Sequence, residues 1–290
     1  MKKYKLIVDS SCDISPDYYQ KHNVGVTDLI VTLNERTYRD RVDITSEEIL
    51  KIYKESKQLP KTSALNIVDL QEIFKENLKE YEHIFYLPIS SEISSLFNNA
   101  RLASAQLDNK VTVLDSEQLS SGIALEVIGL VKDIEADKSI DEIVMNFEER
   151  KKRIRMSFVV DTLEFLHKGG RCSGLMFLLG NKFHLHPIIR LANKKMSVAT
   201  ISRGKGIERG IGDICKEFKN QLEKGNIDLE YPIFVPNVIS PHGVKEVKKN
   251  LEELVGDKII FPVDASGIIC CHCGENTCGL AYMLKEPIGK

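Results

Sequence analysis

Short apolar runs that end in small polar residues and lead into amphipathic helices recur along the first half of the chain, and few folds accept that pattern. "YKLIVDSS" (4–11) reads as a strand running into a polar turn, and "SPDYYQKH" as a helix with Ser15 as N-cap and Pro16 at its first position. "GVTDLIVTLN" reads as a second strand segment. "ITSEEILKIYKES" has Thr45 as N-cap with Glu48 three residues on, a capping box. "NIVDLQEIFKENLKEY" sets Ile67, Leu70, Ile73, Phe74 and Leu78 on one helical face. "HIFYLPI" and "KVTVLDS" are further strands, each followed by a helical stretch. Such alternation with short turns predicts a parallel, two-sided α/β sheet.

The character changes near residue 150. "FEERKKRIR" is a charge-dense helix end, "MSFVVDTL" is a new strand, and "HPIIRLANKKMSVATISR" reads as a hairpin about a polar turn. The fold class expected is α/β with two α/β domains: residues 1–152 with a mostly parallel sheet and residues 153–290 with a mixed sheet. The basic run Arg150 to Arg153 suits a helix C-terminus, where cations meet the negative end of the dipole. With 28% charged residues and a formal net charge of −2, nothing calls for a polyanion, and nucleic acid is not expected as a partner. The first apolar run, Leu6-Ile7-Val8, stops at Asp9, whereas a signal peptide needs about 7–15 apolar residues there. No run approaches the ~20 apolar residues of a membrane span, so a cytoplasmic location is expected.

The polar strand ends invite a ligand. In a parallel α/β sheet the carboxyl ends of the strands share one edge, and ligands bind in that crevice. Asp9-Ser10-Ser11, Thr62-Ser63 of "LPKTSAL" (a turn just ahead of a helix), Ser90, Ser91, Ser94 and Ser95 of "LPISSEISSLF", Asp115-Ser116 and Ser120-Ser121 are all expected there. One serine would be an N-cap; four neighbouring hydroxyls exceed what capping needs, and with Thr62 they suggest an anion cradle at a helix N-terminus. Neither a Gly-x-Gly-x-x-Gly turn after the first strand nor a Gly-x-x-x-x-Gly-Lys-Ser/Thr loop occurs, which disfavours a dinucleotide or P-loop site; no cofactor is expected. A nucleophile elbow would read Gly-x-Ser-x-Gly, and Ser94 has no flanking glycine, so a serine-dependent acyl hydrolase using Ser94 and His272 is the alternative reading. Cys270, Cys271, Cys273 and Cys278 surround His272 in "GIICCHCGENTCGLAY", and a zinc- or redox-responsive regulator is a further alternative. Only one Cys-x-x-Cys pair is present, and on a strand Cys270 and His272 would face away from Cys271 and Cys273, so buried thiols rather than a metal site are expected.

The motifs "VDSSCDI", "LPKTSA", "LPISSEISSLFNNARLA", "VLDSEQLSSG", "DTLEFLHKGGR", "HPII", "ISRGKGIERGI" and "CHCGENTCGLAY" occur in an order that resembles the DegV family from near residue 4 to near residue 285. The resemblance implies two α/β domains holding one long-chain fatty acid between them. It implies no chemistry of the chain's own: such a protein is the lipid-binding subunit that presents the acyl carboxylate to a separate fatty acid kinase, which makes the acyl phosphate. By the same resemblance Thr62, Ser63, Ser94, Ser95 and His272 would hold the carboxylate, and Arg171 and Arg203 would dock the kinase or its nucleotide. Phe165, Leu166, Leu175, Phe177, Leu178 and Leu179 are candidates for an acyl tunnel. The sequence departs from the family pattern in reading Ile93-Ser94-Ser95-Leu96 where Leu-Ser-Gly-Thr is usual, His186 where a lysine precedes Pro-Ile, and His-Cys-Gly-Glu-Asn where the family closes on His-Thr-Gly-Pro-Gly.

Overall fold

The computed structural model describes residues 1–173, 185–192 and 194–288. The first half opens with β1 (Lys2–Asp9), α1 (Pro16–Lys21), β2 (Gly25–Thr27), β3 (Ile30–Leu33) and β4 (Arg36–Arg39). Next come α2 (Ser46–Ser56), β5 (Lys61–Ser63), α3 (Ile67–Asn77) and β6 (Tyr81–Leu87). It closes with α4 (Leu96–Ser104), β7 (Val111–Val113), α5 (Ser121–Glu135) and α6 (Ile140–Arg150). The sheet β2-β1-β6-β7 is parallel throughout. Its central strand β6 is buried on both faces, as a parallel strand covered by helices must be. The capping box is present: Thr45 accepts from the Glu48 N–H, and the Glu48 carboxylate takes the Thr45 N–H. Ser139 and Glu142 form a second one at α6.

The second half runs β8 (Ile154–Val159), α7 (Glu164–Gly169), β9 (Cys172–Ser173), β10 (Leu185–Ala192), β11 (Lys195–Arg203) and α8 (Glu208–Glu223). It ends with β12 (Ile233–Val238), α9 (Pro241–Val255), β13 (Ile260–Asp264), α10 (Gly267–Cys273) and β14 (Thr277–Met283). These strands make a mixed sheet in the order β13-β12-β14-β8-β10-β11-β9, with β10 and β11 the expected antiparallel hairpin. Helix α5 is apolar around nearly its whole circumference because it lies between the two sheets, touching β1 on one side and β8, β12 and β14 on the other. One apolar cluster runs unbroken from Leu6 and Phe85 through α5 to Met156 and Cys270, and a second lies on the far face of the mixed sheet around Phe218 and Leu251. No described helix is long and apolar enough to cross a membrane.

Three expectations are corrected. "GVTDLIVTLN" is two strands in two sheets: the Ser10 hydroxyl takes the Leu29 N–H at 3.1 Å, and the chain leaves the parallel sheet after Thr27 to pair β3 with β4 and β5. Thr62 and Ser63 lie on β5, antiparallel to β3, rather than in a turn at a carboxyl end of the parallel sheet. The cysteine-rich segment is helix α10, with Ser266 accepting from the Ile269 N–H and Gly274 at φ +78 just beyond its end. The helix turns Cys270, Cys271 and Cys273 into the interior, and among the described residues no three His, Cys, Asp or Glu are grouped to hold a metal ion.

Candidate functional site

At the carboxyl edge of the parallel sheet, side chains tie the strand ends together. Asp9, wholly buried at the end of β1, accepts the Ser11 N–H on Oδ1 at 2.8 Å and the Ile89 N–H on Oδ2 at 2.6 Å. Ser120 and Ser121 donate to the carboxylate and carbonyl of Asp13. Asp115, beyond β7, accepts from Ser91. Asp9, Asp13, Asp115, Ser120 and Ser121 build the edge and do not line the cavity beside it.

The cavity has a volume of about 600 Å³. Thr62, Ser63, Ser91, Ser94 and Ser95 supply its hydroxyls, Leu29, Ile89, Ile93 and Ile268 its apolar wall, and His272, Arg171 and Glu92 its titratable groups. Every residue named above for a carboxylate therefore lines one space, although Thr62 and His272 are 210 positions apart. Of the four serines only two remain uncommitted to the turn's neighbours: Ser90 is buried and donates to the Lys194 carbonyl, and Ser91 donates to Asp115. Ser94 accepts the Leu96 N–H at 3.2 Å, which leaves its hydroxyl proton free. Ser95 sits at φ −69, ψ −7, a conformation open to any L-residue, so the loss of the family's glycine there strains nothing.

Opposite the turn, Thr62 Oγ1 and His272 Nε2 lie 2.8 Å apart. Burial, and secondarily the Arg171 guanidinium, pull the His272 pKa down to about 4, so the ring is neutral at physiological pH and has one N–H to give. Nδ1 is buried without a partner, pressed against Gly169; a Cβ there would stand 2.6 Å from it. A bare lone pair is the cheaper state for that nitrogen, since orphaned buried N–H groups are rare. The proton then belongs on Nε2, donating to Thr62, whose own proton is left to point into the cavity.

The ring is set by the helix under it. Ser266 and Gly267 give their N–H groups, each at 2.9 Å, to Asp13 and Asp40 of the first half. Asp13 is also paired with Arg41, and Ser46 donates to the Ala265 carbonyl at 2.8 Å. Sequence reasoning found neither role for these aspartates, because the backbone N–H groups they hold lie more than 200 residues away.

The remaining candidates fall elsewhere. Arg171 stands exposed at the cavity mouth, its guanidinium donating to the Gly169 carbonyl; Arg203 is exposed at the end of β11 and does not line the cavity. Phe165 and Leu166 are core residues of α7, Phe165 against Tyr53 with ring centres 4.8 Å apart, and neither lines the cavity. Leu175, Phe177, Leu178 and Leu179 lie outside the described residues. The apolar wall that is present, Leu29, Ile89, Ile93 and Ile268, was missed; Ile89, closing the run before the serines, was the available signal. His186 is buried 3.5 Å from Asp161, away from this space. No hydrogen bond joins Ser94 to His272, so the nucleophile–base pair of a serine hydrolase is not assembled.

The chain matches the family model described as uncharacterised protein, DegV family, over residues 3–285. It is similar to a DegV domain-containing protein of Staphylococcus aureus, 32% identical over 292 residues, which cover 98% of this chain and 100% of the relative. It is also similar to a solved structure described as fatty acid binding of a DegV family protein from Thermus thermophilus. The identity is 27% and the TM-score 0.89, over 97% of this chain and 100% of that one. A DegV structure from Bacillus subtilis, described as a fatty acid binding protein, aligns at 23% identity with a TM-score of 0.84 over 98% and 100% of the two chains, a likeness of fold.

Proposed function

The chain belongs to the DegV family, and from that premise we propose that it binds one long-chain fatty acid and presents the carboxylate to a separate kinase in the cytoplasm. The observation that carries the proposal is the 2.8 Å contact between Thr62 and His272 across the cavity from Ser94 and Ser95. In the proposed complex the neutral His272 donates to Thr62, Thr62 and Ser94 donate to the carboxylate, and the N-terminal end of α4 adds its dipole. The lipid lies between an N-terminal lobe, residues 1–152, and a C-terminal lobe, residues 153–290. Its tail leaves along the apolar wall of Leu29, Ile89, Ile93 and Ile268. Burial of the tail contributes about 0.8 kcal/mol per CH₂. Arg171 and Arg203 offer guanidinium forks to the kinase or to its nucleotide phosphates. The phosphoryl chemistry belongs to that partner.

Native mass spectrometry of the protein purified without added lipid tests the reading. One bound species of fatty-acid mass, lost in Thr62→Ala/Ser94→Ala, is expected. An empty protein that also fails to take up added palmitate or oleate overturns it.

A further inference from the structure

The turn bearing Ser94 and Ser95 is braced from below by a carboxylate and from the other half of the chain by a lysine. Asp115 Oδ1 accepts the N–H groups of Ser91 at 3.1 Å and Glu117 at 3.2 Å, and its Oδ2 accepts the Ser91 hydroxyl at 2.6 Å. Lys194 stands at the tip of the β10–β11 hairpin with φ +68. Its Nζ lies 3.0 Å from Asp115 Oδ2 and 3.2 Å from Glu117 Oε1, and its carbonyl accepts the Ser90 hydroxyl at 2.7 Å. One residue thus grips the turn through its backbone and the brace of that turn through its side chain.

The brace has an electrostatic side effect. Burial would raise the pKa of Asp115, yet the hydrogen bonds from Ser91 and Lys194 hold it below the ordinary carboxylate value, so it is an anion at neutral pH. It sits directly behind Ser91, which lines the cavity together with Ser94 and Ser95. A fixed negative charge there repels an incoming carboxylate unless a cation offsets it. Lys194 is that cation, its own pKa raised chiefly by the hydrogen bond to Asp115.

We infer that Asp115 and Lys194 are positioning residues for the carboxylate site: Asp115 shapes the Ser91–Ser95 turn, and Lys194 cancels its charge so that an anionic headgroup is preferred over a neutral one. The inference rests on the fatty-acid reading above and assigns headgroup selectivity to a hairpin that does not line the cavity. A residue of purely structural importance would weaken all lipids alike, whereas this role acts on the charge of the headgroup.

The test is titration of palmitate and of 1-hexadecanol into the unaltered protein, Lys194→Met, Lys194→Arg, Asp115→Asn and the double variant Asp115→Asn/Lys194→Met. Lys194→Met is expected to weaken palmitate about fivefold and hexadecanol less than about twofold, the scale of a partly exposed ion pair. Lys194→Arg restores palmitate binding, and the double variant binds palmitate more tightly than Lys194→Met because the stranded charge is gone. Equal losses for acid and alcohol, or no recovery in the double variant, overturn the inference while leaving the fatty-acid reading in place. An unaltered protein that takes up neither lipid overturns both.

Discussion

At its N-terminal end α10 gives two backbone N–H groups to Asp13 and Asp40, and Asp13 is further held by Arg41 and Ser120. At its C-terminal end, about one and a half turns away, the same helix carries His272 with one ring nitrogen on Thr62 and the other without a partner. The first end is held by its own Ser266 cap and by two backbone N–H groups that cross from one half of the chain to the other. At the second end the His272 ring is held by one hydrogen bond and stands against Gly169. The difference separates two tasks. Rigid docking belongs to the end away from the cavity that His272 lines, so that the end facing that cavity can keep unused hydrogen-bonding capacity without drifting.

Breaking the docked end has the largest expected effect. Asp13→Ala strands the Arg41 guanidinium and frees the Ser266 N–H, and about 3 kcal/mol of unfolding free energy should be lost in urea titration. Uptake of palmitate should fall with it, because His272 loses its platform.

Acid probes the open end. His272 has its folded pKa lowered from 6.5 to about 4, so the unfolded chain takes up the proton first. Its contribution is complete above pH 6.5 and is lost as pH falls through about 4, an effect of about 3 kcal/mol for a shift of that size. Unfolding free energies of the unaltered protein and His272→Gln should therefore converge by that amount between pH 6.5 and 4. A constant gap would mean that the ring is solvated.

The smallest effect returns to the docked end with the opposite sign. Burial pushes Asp40 up from 3.8 to about 6, so its folded form holds the proton more tightly and that advantage is lost as pH rises through about 6. Asp40→Asn keeps an oxygen for the Gly267 N–H and removes the buried charge. At pH 8 the variant should be more stable by about 1 kcal/mol in thermal unfolding, and at pH 4 equal to the unaltered protein.

What the sequence disclosed follows the reach of each interaction. The Thr45–Glu48 capping box and the hairpin over 185–203 are local, and the residues that make them are neighbours in the chain. The alternating pattern sufficed for a parallel first sheet and a mixed second one. Thr62 and Ser94 were legible as hydroxyls of an anion cradle, but only the resemblance joined His272 to them at one carboxylate, since no spacing rule links positions that meet only across the fold. The missed items are the non-local ones. Ile-Ile-Cys-Cys looks extended by propensity, but Ser266, Gly274 and two distant aspartates make it a helix. Ser90 and Ser91 looked equivalent to Ser94 until Lys194 and Asp115 claimed their hydroxyls.

The placement of β14 bears on how the molecule comes into being. This last strand of the fold lies in the middle of the mixed sheet, between β12 and β8, and follows directly on the helix that carries His272. During synthesis the strands of the parallel sheet and the serine turn emerge before the histidine and before the strand that zips the second sheet. A chain interrupted before residue 277 therefore has every residue that lines the cavity but lacks the strand at the middle of the second sheet that follows the helix bearing His272.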